Sequence, residues 1–200
     1  MAAGAACLAA PAKDFGHDLA AIRAAVRDDT RVIWIANPNN PTGTFVPAGE
    51  VEALLKQVPE RVIVVLDEAY TEYLAPADRA DTVAWIKDFP NLVVTRTFSK
   101  IYGLAGLRVG YALASAEVAD LMNRVRQPFN VNNLAIAAAV AAWLIGGSVS
   151  GTESRFPLPV AILGAIGVAS AIHVYVRQKI PTVAVLRCLG ASARQSFSVY

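Results

Sequence analysis

Four short apolar runs, each rich in β-branched residues and each cut off by a turn, constrain what the first two-thirds of this chain can become. They are Arg31-Val-Ile-Trp-Ile-Ala36, Arg61-Val-Ile-Val-Val-Leu66, Asn91-Leu-Val-Val-Thr95 and Arg108-Val-Gly-Tyr-Ala-Leu113. Continuous apolar runs of this length suit strands buried on both faces. Helical patterns lie between them. Pro47 to Val58 carries Val51, Leu54, Leu55 and Val58 at helical spacing, and Thr82 to Phe89 and Ala116 to Val125 are further helix candidates. Such alternation predicts an α/β domain with a largely parallel sheet and flanking helices. Ligands of such sheets sit beyond the carboxyl ends of the strands.

Those ends carry a dense set of functional groups. Asn37-Pro-Asn-Asn-Pro-Thr-Gly43 follows the first run, Asp67-Glu-Ala-Tyr70 the second, and Thr97-Phe-Ser-Lys100 with Gly103-Leu-Ala-Gly-Leu-Arg108 the third. Each piece alone has a plain explanation. Asn-Pro and Pro-Thr-Gly make turns, an Asp at a strand end caps, and a lone Lys is solvated. Together, in this order, they fit pyridoxal phosphate chemistry. A lysine amine can form an imine with an aldehyde and surrender it to an amino substrate. A carboxylate keeps a ring nitrogen protonated. An amide and a phenol can bond the ring oxygen, and hydroxyls with an Arg fork suit a dianionic phosphate. This chemistry needs no metal.

At these residues the sequence resembles the fold-type I aminotransferases of class I/II. The strings that carry the resemblance also include Pro11-Ala-Lys-Asp-Phe-Gly-His-Asp18, Ile35 to Thr44, Val65 to Tyr70, Thr97 to Tyr111 and Arg126-Gln-Pro-Phe-Asn-Val-Asn132. Their wording is most similar to the histidinol-phosphate aminotransferases, over roughly residues 4–142. The resemblance implies roles position by position. Lys100 would be the Schiff-base lysine and Asp67 the partner of the pyridinium nitrogen. Tyr70 and Asn40 would bond the ring oxygen, and Thr97, Ser99 and Arg108 would hold the phosphate. It further implies a cytoplasmic enzyme that moves an amino group between a small-molecule amine and a 2-oxo acid. It implies a homodimer, because family sites are completed across a dimer interface. Family members carry further stretches upstream and downstream, including a phosphate-binding turn and a substrate-binding arginine. Weak cofactor binding and no useful turnover are therefore expected of this chain. Glu68 is expected to be a structural or solvated acid, Trp34 and Tyr111 to pack in the core, and His17 to bond locally in a turn.

Composition changes after this segment. Residues 1–142 carry 13 basic and 15 acidic residues, whereas 143–200 carry five basic residues and a single acid, Glu153. No charge falls between Gln127 and Thr152, or across the 21 residues Phe156 to Val176. A partial aminotransferase domain over 1–142, a junction over 143–155 and a separate segment over 156–200 are expected. At about 1.5 Å per residue the second run can span a bilayer, and Arg177, Lys179, Arg187 and Arg194 after it would lie on the cytoplasmic side. A buried soluble helix is the other reading. Leu134 to Val149 is shorter and is expected to be a core helix. Gly167 to Ser192, with Leu186-Arg-Cys-Leu-Gly-Ala191, resembles permease subunits of ABC transporters of the lipoprotein-release and cell-division type. The alternative function is thus a membrane permease fragment without chemistry, and a fused reading frame would explain both halves. The net charge of +2 gives no argument for nucleic-acid binding. The two cysteines, Cys7 and Cys188, form neither a disulfide framework nor a metal spacing. The N-terminus begins without a basic region and is not read as a signal peptide.

Overall fold

A computed structural model describes residues 4–147. In chain order, the small hairpin β1 (Ala12–Lys13) and β2 (Gly16–His17) precedes α1 (Leu19–Ala24), β3 (Val32–Ala36), α2 (Ala48–Leu55), β4 (Ile63–Asp67), β5 (Leu92–Thr97), β6 (Gly110–Ala114), α3 (Ala116–Val125) and α4 (Asn133–Gly147). The segments group into two compact units. Of the described residues, one holds those up to Ile101 together with Gly110–Asn130, and the other Tyr102–Val109 together with those from Val131.

The main sheet of the first unit has the order β3-β4-β5-β6. The first two pairings are parallel and the third is antiparallel. A parallel neighbour needs a crossover that carries the chain back along the sheet, usually a helix. Residues 37–62 and 68–91 make the two parallel crossovers, whereas only residues 98–109, with one short 3-10 turn at Ala105–Leu107, join β5 to β6, which returns antiparallel. The sheet is therefore mixed. Gly110 makes this last pairing possible: a Cβ there would lie 2.8 Å from the Arg96 carbonyl oxygen, too close for any side chain.

Alternation along the strands sorts side chains onto two faces. The back face carries Ile33, Ile35, Val64, Leu66, Leu92 and Val94, which pack against Val51, Leu54, Leu55 and Val58 of the α2 segment. Leu19 and Ile22 of α1, with Trp85, Ile86 and Phe89, close over the same core. Each fully buried Leu or Val contributes about 1.5–3 kcal/mol. The helix ends are set locally. Asp18 accepts from the Ala21 N–H at the start of α1, and Ser115 accepts from Val118 N–H at the start of α3. The helix expected over Thr82 to Phe89 is instead a 3-10 turn, Ala84–Lys87. Pro90 cannot extend a helix, and Trp85 and Phe89 are already drawn onto the core.

Trp34 does not pack in the core as its strand position suggested. It lies on the front face of the edge strand β3 and is 61% exposed. In the second unit, Leu104, Leu107 and Val109 are buried, and α4 buries Ala135, Ala138, Ala139 and Ala142. The larger Leu134, Ile136, Val140 and Trp143 of α4 are exposed. The expected core helix therefore forms, but its small side chains are the ones that seat it. The membrane span and permease-like segment expected over 156–200 lie outside the described residues. Among the described residues, no helix is long and apolar enough to cross a membrane.

Candidate active site

Asp67 is the last residue of β4 and Glu68 the next, so their side chains leave opposite faces of the sheet. Asp67 lies level with Ala36 on one side and Thr95 on the other. It therefore shares the front face with Thr95 and Thr97, at the carboxyl ends of three neighbouring strands. Glu68 turns to the back and is 4% exposed. It accepts from the Thr82 hydroxyl at 2.6 Å and from Arg96 Nε at 2.9 Å, and its Oε2 lies 2.8 Å from Arg96 Nη2. Burial works against the charge of Arg96, but the Glu68 carboxylate beside it more than offsets this, and the guanidinium pKa stands above its ordinary value. Burial pushes the Tyr111 phenol up, while the facing Arg96 draws it back. Glu68 is thus the structural acid, and Tyr111 is half-buried beside Phe98, with ring centroids 5.4 Å apart.

The loop after β3 presents Asn40. Asn37 grips Val46 with both amide atoms, Nδ2 donating to the carbonyl and Oδ1 accepting from the N–H, each at 2.9 Å. Within that clasp, the Gly43 N–H donates to the Asn39 carbonyl at 2.9 Å, with Gly43 at φ 71°. This conformation comes at little cost only to glycine. The peptide bonds before Pro38 and Pro41 are cis. In the sequence Asn37 is only part of a turn; its clasp depends on a partner nine residues away. His17, expected to bond locally, instead donates from Nε2 to the carbonyl of Ala36 at 2.9 Å and ties the small hairpin to the end of β3.

The structure brings three of the expected residues together. Asn40 Nδ2 donates to the Tyr70 hydroxyl at 3.3 Å, and Lys100 Nζ stands 4.9 Å from the centroid of the Tyr70 ring. That is within cation–π range, so the phenol ring holds the lysine beside it. Thr97 and Ser99 form a tight turn in which the Ser99 N–H donates to Thr97 Oγ1 at 3.0 Å. Arg108 belongs to the second compact unit. It is exposed, sits in the left-handed region at φ 54°, and bonds the Ala105 carbonyl at 3.2 Å. A non-glycine residue there carries about 1–2 kcal/mol of strain. Thr95, not singled out by its sequence context, has a buried hydroxyl without a partner among the described residues. An amine, a carboxylate, an amide–phenol pair and clustered hydroxyls fit a small aromatic aldehyde that carries a phosphate.

These residues lie on the fold and in the order of one family. The family model "Aminotransferase class I and II" matches residues 2–154, and the chain belongs to this family. It is 73% identical over 142 residues to histidinol-phosphate aminotransferase 1 of Dechloromonas aromatica, covering 71% of this chain and 39% of the relative. It is 55% identical over 174 residues to histidinol-phosphate aminotransferase 2 of Ralstonia nicotianae, covering 87% of this chain and 44% of that one. The latter alignment runs past residue 142, and the permease resemblance finds no support in these matches. Among solved structures, histidinol-phosphate aminotransferase from Sinorhizobium meliloti in complex with pyridoxal-5'-phosphate superposes with a TM-score of 0.65 at 39% identity, covering 70% of this chain and 38% of that one. L-threonine-O-3-phosphate decarboxylase from Porphyromonas gingivalis superposes with a TM-score of 0.55 at 32% identity, covering 67% and 38%. The chain spans about two-fifths of the length of the curated relatives it matches.

Proposed function

We propose that residues 1–142 supply the cofactor-holding part of a pyridoxal-5'-phosphate-dependent aminotransferase of the histidinol-phosphate type. Its partners are an amine resembling histidinol phosphate and a 2-oxo acid. The observation that carries the reading is the cluster in which Asn40 bonds the Tyr70 hydroxyl and Lys100 stands over the Tyr70 ring. Similarity to the Sinorhizobium meliloti enzyme, which holds pyridoxal-5'-phosphate, supports the choice of cofactor.

When bound, pyridoxal phosphate supplies an aldehyde that captures amines and a ring that takes up electron density. Lys100 would provide the amine, and its Nζ would hold or move a proton. Asp67 would keep the ring nitrogen protonated through its negative charge. Tyr70 and Asn40 would hydrogen-bond the ring oxygen. By resemblance to the family, the hydroxyls of Thr97 and Ser99 would bind the phosphate and Arg108 would supply the charge complement.

Titration of the 200-residue chain with pyridoxal phosphate, followed by visible absorbance, tests the reading. A band characteristic of bound cofactor is expected, and Lys100→Ala should abolish it. A chain that gives no such band, or a band that survives Lys100→Ala, would refute the assignment.

A further inference from the structure

The front face of the sheet holds a buried polar group that the roles above leave unused. Thr95 Oγ1 is buried and makes no hydrogen bond among the described residues. Leaving a hydroxyl in that state is unfavourable, because water is removed and nothing replaces it. A native chain that keeps threonine there, where valine has the same shape, gives the hydroxyl a partner in some state of the molecule.

Within the sheet, the register leaves one polar side chain laterally beside it. Across β6, Thr95 faces Ala112, which has no polar side chain. Two residues back along β5 is Val93, and two residues forward is Thr97, about 6.6 Å along the strand and turned to the Ser99 N–H. Across β4 the neighbour is Asp67. Strands lie about 4.8 Å apart, so laterally paired side chains on one face are within reach of each other.

We propose that Thr95 is a positioning residue for Asp67, its hydroxyl donating to the carboxylate oxygen of Asp67 that does not face the cofactor ring. The inference rests on the cofactor reading above. A donor on that oxygen favours the ionised carboxylate and lowers its hold on a proton. The shared proton then stays on the ring nitrogen. Thr95 touches neither cofactor nor substrate in this account and acts only through Asp67.

The test compares the full chain with Thr95→Val and Thr95→Ser by two measurements: absorbance titration with pyridoxal phosphate, and thermal melting without it. Valine should weaken the apparent Kd for pyridoxal phosphate at least about ten-fold, as expected for loss of a hydrogen bond to a charged group. Serine should stay within about three-fold of the parent. Melting of the cofactor-free valine variant should be unchanged or raised, because an orphan hydroxyl has gone. A purely structural threonine would give the opposite pattern, with melting lowered and titration unchanged. Thr95→Ala, smaller at every atom, should reproduce the weakened titration even if valine disturbs the strand. Equal affinities for the parent and both the valine and alanine variants would overturn the inference while leaving the cofactor reading intact. A parent chain with no Lys100-dependent band would overturn both.

Discussion

Removal of the Glu68 carboxylate would test whether the back of the sheet is held as described. Glu68→Ala deletes two hydrogen bonds and an ion pair at once. Arg96 loses the contacts at 2.8 and 2.9 Å, and the buried Thr82 hydroxyl loses its acceptor at 2.6 Å. Breaking a buried pair by removing one partner costs about 3–5 kcal/mol, mostly from the charge left behind. The Arg96 side chain is 23% exposed, so water can reach part of the guanidinium and the low end of that range applies. The orphaned Thr82 hydroxyl adds about 1 kcal/mol. A loss of about 3–4 kcal/mol follows, a large part of the total stability of a domain. With a urea m-value on the order of 2 kcal/mol/M, the denaturation midpoint should fall by roughly 1.5–2 M with m unchanged. A double-mutant cycle with Arg96→Ala should return a coupling of about 2 kcal/mol. A fall below about 1 kcal/mol for Glu68→Ala, or a coupling near zero, would mean that Glu68 is solvated and that the back-face network does not brace the end of β4.

Two further expectations follow from the same face and its edge. Gly110→Ala places a Cβ 2.8 Å from a backbone oxygen of Arg96, so β6 must part from β5. The loss should be about 2–3 kcal/mol in denaturation, and near-parent stability would contradict the close approach. Burial pushes the Glu72 carboxyl above the ordinary glutamate range. A raised folded-state pKa means that its contribution to stability is complete below the unfolded value and is lost as pH rises through the folded one. Glu72→Gln should therefore match the parent near pH 4 and exceed it at pH 7 in denaturant midpoint; the reverse order would contradict the burial.

The local elements are legible because their causes are local. The β-branched runs coincide with β3, β4, β5 and β6 to within two or three residues, and α3 spans the expected Ala116 to Val125 because Ser115 caps it. The strand-end groups were legible too, since residue type and order along the chain carry that chemistry. Lateral relations were not. That Glu68 meets Arg96, that Asn37 clasps Val46, and that His17 reaches Ala36 each depend on partners nine to twenty-eight residues away. Trp34 is apolar and sits in a strand, yet it is exposed because β3 is an edge strand, which no run of letters around it records.

The sequence by itself determined the strands, the helix starts and the set of reactive groups delivered to their ends, because hydrophobic period, capping and chemical identity are properties of neighbouring residues. Only the tertiary structure decided which groups stand side by side. Sheet order puts Asp67 between Ala36 and Thr95, and the short connection after β5 brings β6 back antiparallel. Register between strands is a long-range property, and it is register that turns a list of polar residues into a site.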